Sequence, residues 1–187
     1  MGQQHWFCRG NDEWSAIAEQ LKHTPCPHCK VVGALNRHGF LFGFDEQNLK
    51  HKTIRARRVF CSNRQARPGC GRTFSIWIAD KIRRLSLTTA CLRRFLLLAA
   101  AGSLAAAIRA ADGHLSDRSW QRLWRRFRLG QAMIRTALSG LCPPPPLPAP
   151  APGQPAAAQV LAHLQAAFPH AACPLAAFQH TLRTFFV

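Results

Sequence analysis

The chain has 187 residues, with 25 Lys and Arg against 8 Asp and Glu for a formal charge of +17. Hydrophobic residues make up 48% of it, enough to bury a core, which excludes a disordered basic tail. Tyrosine is absent, which excludes tyrosine-nucleophile chemistry, and eight acids leave little material for a carboxylate–metal active site.

The charge is unevenly placed. Residues 1–50 balance five basic side chains against five acidic ones, whereas residues 51–140 hold 19 basic and 3 acidic. Residues 141–187 add only Arg183. A field confined to one stretch attracts phosphate backbones or anionic surfaces. An Arg-rich genome would instead spread the bias along the whole chain, so the expectation is nucleic acid.

In chain order, Met1 to Trp14 is polar and includes Asp12 and Glu13, unlike a signal peptide. Trp14, Ile17, Ala18 and Leu21 predict a helix over Asn11–His23, with Asn11 or Asp12 as its N-cap. Pro25 to Ile78 reads as strands around Leu41–Phe44, Ile54–Phe60 and Phe74–Ile78.

This stretch also carries two cysteine pairs. Cys26-Pro27-His28-Cys29 is a C-x2-C knuckle, and Cys61 and Cys70 form a second pair across eight residues. Zinc favours four tetrahedral soft ligands, and a thiolate pair on each of two turns supplies them while stapling a small sheet. Cys26, Cys29, Cys61 and Cys70 are therefore the expected Zn2+ ligands, with Ser62–Gly69 looping out as an insertion. Four independent buried cysteines are the competing reading, and Pro27 and Gly71, which place both pairs on tight turns, speak against it. His28 reads as a spectator. Between the pairs, Arg55 and Arg57 are expected to alternate outward beside Arg58, either as a DNA-contacting strand or as a solvated edge that resists aggregation.

Ser86 to Leu138 is helical. Ser86 is the expected cap of a helix ending at Gly102, Ser103 of a second over Leu104–Ala111, and Ser116 of a third from Asp117, after a tight turn at Asp112–Leu115. Short helix, glycine turn and longer helix form the helix-turn-helix pattern. At roughly 100° per residue, Arg122 and Arg125 fall within about 40° of Arg118, while Trp120, Leu123, Trp124 and Phe127 cluster on the opposite side. Arg126 and Arg128 flank the ridge. Arginine suits phosphates and the guanine edge in the major groove, so Arg118, Arg122, Arg125 and Arg126 are the expected DNA contacts, with Arg55, Arg57 and Arg58. A solvated face would mix acids with bases; beyond Asp117 this one has none.

The longest apolar run, Phe95–Ile108, is 14 residues, short of the roughly 20 a membrane span needs. A cytoplasmic, nucleoid-associated protein is expected, with reduced cysteines and no membrane partner. Cys142 to Pro155 carries eight prolines and predicts an extended spacer. Beyond it, Val160–Phe168 and Leu175–Phe186 read as two apolar helices that either pack back on the body or dock a partner such as a transposase or recombinase through residues 156–187.

Cys-Pro-x-Cys, a basic strand, Cys…Cys-Gly-Arg-Thr-Phe and a glycine-punctuated helix pair with Ser116, Ser119, Arg122 and Trp124 together resemble the N-terminal DNA-binding part of bacterial insertion-sequence transposases. The resemblance spans about residues 24–138. It implies zinc on Cys26, Cys29, Cys61 and Cys70, and a recognition helix over Ser116–Arg128. Such transposases continue into a catalytic domain with three metal-binding carboxylates, and here only Asp80, Asp112 and Asp117 lie beyond residue 46.

The expectation is an α+β chain: N-terminal helix (1–23), zinc ribbon (24–80), helix-turn-helix (81–140), proline-rich linker (141–155) and C-terminal helices (156–187). Its expected role is non-enzymatic binding of double-stranded DNA as an accessory or targeting factor of a mobile element, or as a transcriptional regulator. The rivals are a nuclease or recombinase whose metal site uses His38, Asp45, Glu46 and His51, and an RNA-binding ribbon.

Overall fold

The computed structural model describes residues 6–111, 114–146 and 156–187. The expected Asp112–Gly113 turn and residues 147–155 of the proline-rich stretch lie outside the described residues. The architecture is α+β, as the sequence implies. One four-stranded sheet is built from β1 (Trp6–Cys8), β2 (Leu35–Phe44), β3 (Lys52–Cys61) and β4 (Thr73–Ile78), in the order β1-β4-β3-β2. β2, β3 and β4 are antiparallel neighbours, and β1 joins β4 in parallel. At three residues β1 is too short to show a period, so only its pairing opposite Ile76–Ile78 makes it a strand.

The first helix, α1 (Asn11–Gln20), follows β1 directly. Its N-cap is Gly10, not Asn11 or Asp12; in place of a side-chain cap, the Arg9 amide donates to the Glu13 carboxylate at 2.7 Å. Trp14 and Leu21 of this segment pack with Cys8, Leu35, Val59 and Ile76 into a core over one face of the sheet.

Five helices follow in chain order: α2 (Thr89–Ala101), α3 (Leu104–Arg109), α4 (Asp117–Ser139), α5 (Ala156–Ala167) and α6 (Pro174–Leu182). Ser103 and Ser116 cap α3 and α4 as expected, their hydroxyls accepting from Ala106 and Ser119 amides. Thr88, rather than Ser86, caps α2. The reason is a bridge between Lys81 and Thr88, reinforced by Ile82 N–H donating to the Leu87 carbonyl, which holds Ser86 in a loop. The Thr88 amide and hydroxyl in turn donate to Glu46 at 2.6 and 2.9 Å, so the β2–β3 loop braces the start of α2.

The C-terminal helices pack back on the body. Val160, Leu161 and Leu164 of α5, and Leu175 and Phe178 of α6, join Leu92, Phe95, Leu96, Trp120, Phe127 and Leu138 in one core. α6 and the residues after it also reach the sheet. The Gln179 amide donates to the Ala79 carbonyl at 2.7 Å, Arg183 donates to Phe7, and His180 meets Glu13 at 2.7 Å. Of the two expected readings of residues 156–187, packing back on the body is the one this structure adopts, with the apolar side chains of α5 and α6 set into the core of α2 and α4. Among the described residues no helix is long and apolar enough to cross a membrane.

Candidate functional site

The clearest constellation is the four-cysteine cluster. The Sγ atoms of Cys26, Cys29, Cys61 and Cys70 all lie within 4.8 Å of one another. Cys26 and Cys70 are 3.8 Å apart, and Cys29 and Cys61 are 3.7 Å apart. Sulfurs about 2.3 Å from a tetrahedral ion would be separated by about 3.8 Å, so the cluster has the dimensions of a metal site.

Two backbone turns of the same design hold it. In the first, the Lys30 amide donates to the Cys26 carbonyl and the Cys26 amide to Val31. In the second, the Gly71 amide donates to the Cys61 carbonyl and the Cys61 amide to Arg72. The residue after the second cysteine has positive φ in both, Lys30 at 64° and Gly71 at 71°. Two residues separate the first pair and eight the second, yet both turns close identically, since the Gly69 amide bonds the Ser62 carbonyl and pinches residues 63–68 outward. A Cβ at Gly69 would stand 2.2 Å from that carbonyl, so the pinch needs glycine. The expected insertion is real, and Ser62 and Gly69 serve as the two spacer residues of a knuckle.

The chemistry of the thiols differs across the cluster. Hydrogen bonding, first from the Val31 amide, lowers the Cys29 thiol to about 7. Burial raises the Cys61 thiol to about 12. Four thiols this close cannot all ionise beside one another unless a cation compensates them. Outside the cluster, burial raises Cys8 to about 11, and that residue serves as a core hydrophobe. His28 is exposed, its ring edge-on to Phe74, in keeping with a spectator.

The second constellation is the arginine face of α4. Trp120, Leu123 and Phe127 are buried, and Trp124 packs against the same core. Arg118, Arg122, Arg125 and Arg126 are exposed along the opposite side, with Arg128 beside them. Helical spacing anticipates this exposure, with Arg118, Arg122 and Arg125 on the ridge and Arg126 and Arg128 on its flanks. A groove of about 370 Å³ between α3 and α4, lined by Leu104, Gln121, Trp124, Arg125, Arg128 and Leu129, runs beside the ridge.

The basic strand is a different matter. Arg55 is not on the outer surface: it is 6% exposed, and it donates to the Leu87 carbonyl at 3.1 Å and the Phe44 carbonyl at 2.6 Å. A bulge causes this. Leu41 opposes Ala56 and Phe42 opposes Ile54, leaving Arg55 without a cross-strand partner and re-aiming it. Its side chain lies over Gly43, where a Cβ would approach its Nε to 2.8 Å. Burial lowers its pKa, opposed by Asp80, Glu46 and Asp45. Arg57 is half-buried, its guanidinium 5.4 Å above the Trp14 ring and 4.9 Å above Phe40 and bonded to Asn11. Arg58 is half-buried opposite Ser75 of β4. The three arginines thus separate into an internal pin, a cation–π lock and one partly open side chain.

The acidic candidates do not gather either. Glu46 is engaged with Thr88, and Asp45 accepts from the Gln47 and Asn48 amides. Among the described residues the four cysteines are the one group placed to share an ion. Compared with known proteins, the chain matches no family model, no curated protein and no solved structure.

Proposed function

We propose that this chain is a zinc-stabilised protein that recognises double-stranded DNA, with α4 as its recognition helix. The observation that carries the reading is the acid-free ridge of Arg118, Arg122, Arg125 and Arg126, held in one orientation by the buried Trp120–Leu123–Phe127 stripe. Preceding helices capped at Thr88 and Ser103 support reading α2–α4 as a helix-turn-helix. Zinc is the ion that best suits four thiols at tetrahedral separation on two knuckles. Cys26, Cys29, Cys61 and Cys70 would hold it, and its contribution is to tie β2, β3 and the knuckles together, with no part in a reaction.

The role most consistent with the resemblance is a non-enzymatic accessory or targeting factor of a mobile element. The test is a salt titration of duplex binding on a site selected from random DNA. Each guanidinium that meets a base edge contributes about 1–3 kcal/mol of discrimination. Each that meets phosphate contributes about 0.9 to the salt slope. Replacing Arg118, Arg122 and Arg125 by Ala should weaken binding at least a hundredfold with helicity and metal content unchanged. Wild-type affinity in that variant would remove α4 as the interface.

A further inference from the structure

A cleft of about 630 Å³ opens beside the first knuckle, on the side of the sheet where β1 meets β4. Its walls are Trp6, Phe74 and Trp77, with His28 at the rim. The Trp6 and Phe74 rings lie 6.0 Å apart, and the His28 ring stands edge-on to Phe74 at 6.3 Å. Among the described residues two cations line it, Lys30 and Arg83, and no carboxylate does. Arg83 is held in place by its guanidinium lying 5.6 Å from the Trp77 ring and 5.0 Å from Phe185.

We propose that this cleft is a second nucleic-acid site, one that takes unpaired nucleotides. Three features argue for that occupant. Aromatic faces accept any base by stacking, which a paired base inside a duplex cannot offer. Lys30 and Arg83 supply the charge complement of a phosphate backbone, and the absence of acids leaves nothing to repel it. The cleft lies within the roughly 300–1,000 Å³ range of ligand sites and is concave, whereas the α4 ridge is convex and suited to a groove. The site shares no residue with α4, so it stands or falls separately from duplex recognition.

The experiment titrates the full chain at low salt with six-residue thymidine and uridine oligonucleotides, reading tryptophan fluorescence. Stacking on Trp6 should give saturable quenching, and the two oligonucleotides show whether the sugar matters. Lys30→Asn combined with Arg83→Ser should weaken binding about tenfold and lower the salt slope by about 1.4, at about 0.7 per single-strand phosphate contact. Asn tolerates the positive φ of residue 30, so this variant keeps the knuckle. Trp6→Leu should lose much of the quench while retaining the apolar wall. The Arg118, Arg122, Arg125 triple variant should bind the oligonucleotides within about threefold of wild type. Absence of saturable quenching, wild-type affinity in the Lys30–Arg83 variant, or loss of oligonucleotide binding in the triple variant would each overturn the proposal.

Discussion

Replacing Arg55 by Ala separates a structural arginine from a DNA-binding one. The guanidinium is 6% exposed and donates to two carbonyls on different parts of the chain, Phe44 at the end of β2 and Leu87 before α2. Hydrogen bonds from a charged donor contribute about 1.5–3 kcal/mol each. Removing both bonds, and leaving space above Gly43, destabilises by about 3–6 kcal/mol before any offset. The offset is the regained hydration of a buried cation, which for a fully unpaired charge would be several kcal/mol. Here it is smaller, because Asp80, Glu46 and Asp45 favour the charge and lose their partner when it goes. The expected net loss is about 2–4 kcal/mol, or about 4–16 °C in Tm for a chain of this size. Denaturant unfolding measures it. Duplex binding by the folded variant should keep the wild-type salt slope, since the side chain does not reach solvent. A loss under about 1 kcal/mol together with a slope lower by about 0.9 would show that Arg55 lies on a DNA-facing surface and that the bulge is misassigned.

Three further outcomes concern the cysteine cluster and the C-terminal packing. Chelation of bound zinc, or Cys70→Ser, should unfold residues 24–78 while α2 and α4 stay largely helical, because the cluster joins the turn before β2 to the turn between β3 and β4. Metal analysis of freshly purified, folded protein should give about one zinc per chain, and its absence would end the zinc assignment. A fragment ending at residue 146 should lose cooperative unfolding. It discards Val160, Leu161, Leu164, Leu175, Phe178 and Phe186, all buried, each contributing about 1.5–3 kcal/mol. That sum, about 9–18 kcal/mol, is as large as the roughly 5–15 kcal/mol that holds a typical fold together, and a sharp thermal transition in the fragment would contradict it.

Local chemistry alone determined a good part of this protein. The grouping of the four cysteines was legible because two cysteine pairs on tight turns, marked in the sequence by Pro27 and Gly71, have the pattern of a soft-ligand cluster. The arginine face of α4 was legible because 3.6-residue periodicity separates Trp120, Leu123 and Phe127 from Arg118, Arg122 and Arg125 whatever the neighbours are. Ser103 and Ser116 could be read as caps because capping is settled within four residues. Other features depend on residues far apart in the chain. β1 exists only because Trp6–Cys8 lies against Ile76–Ile78, some seventy residues away. Arg55 turns inward because a bulge opposite Leu41 and Phe42 breaks the two-residue alternation, and a one-residue slip in a strand reverses every later side chain. Thr88 takes the cap from Ser86 because Lys81 holds the intervening loop. The final helices close the core because α2 and α4 present an apolar face that nothing nearer in sequence can cover. Periodicity shows that Leu161, Leu164 and Phe178 must be buried, but only the tertiary structure decides against what.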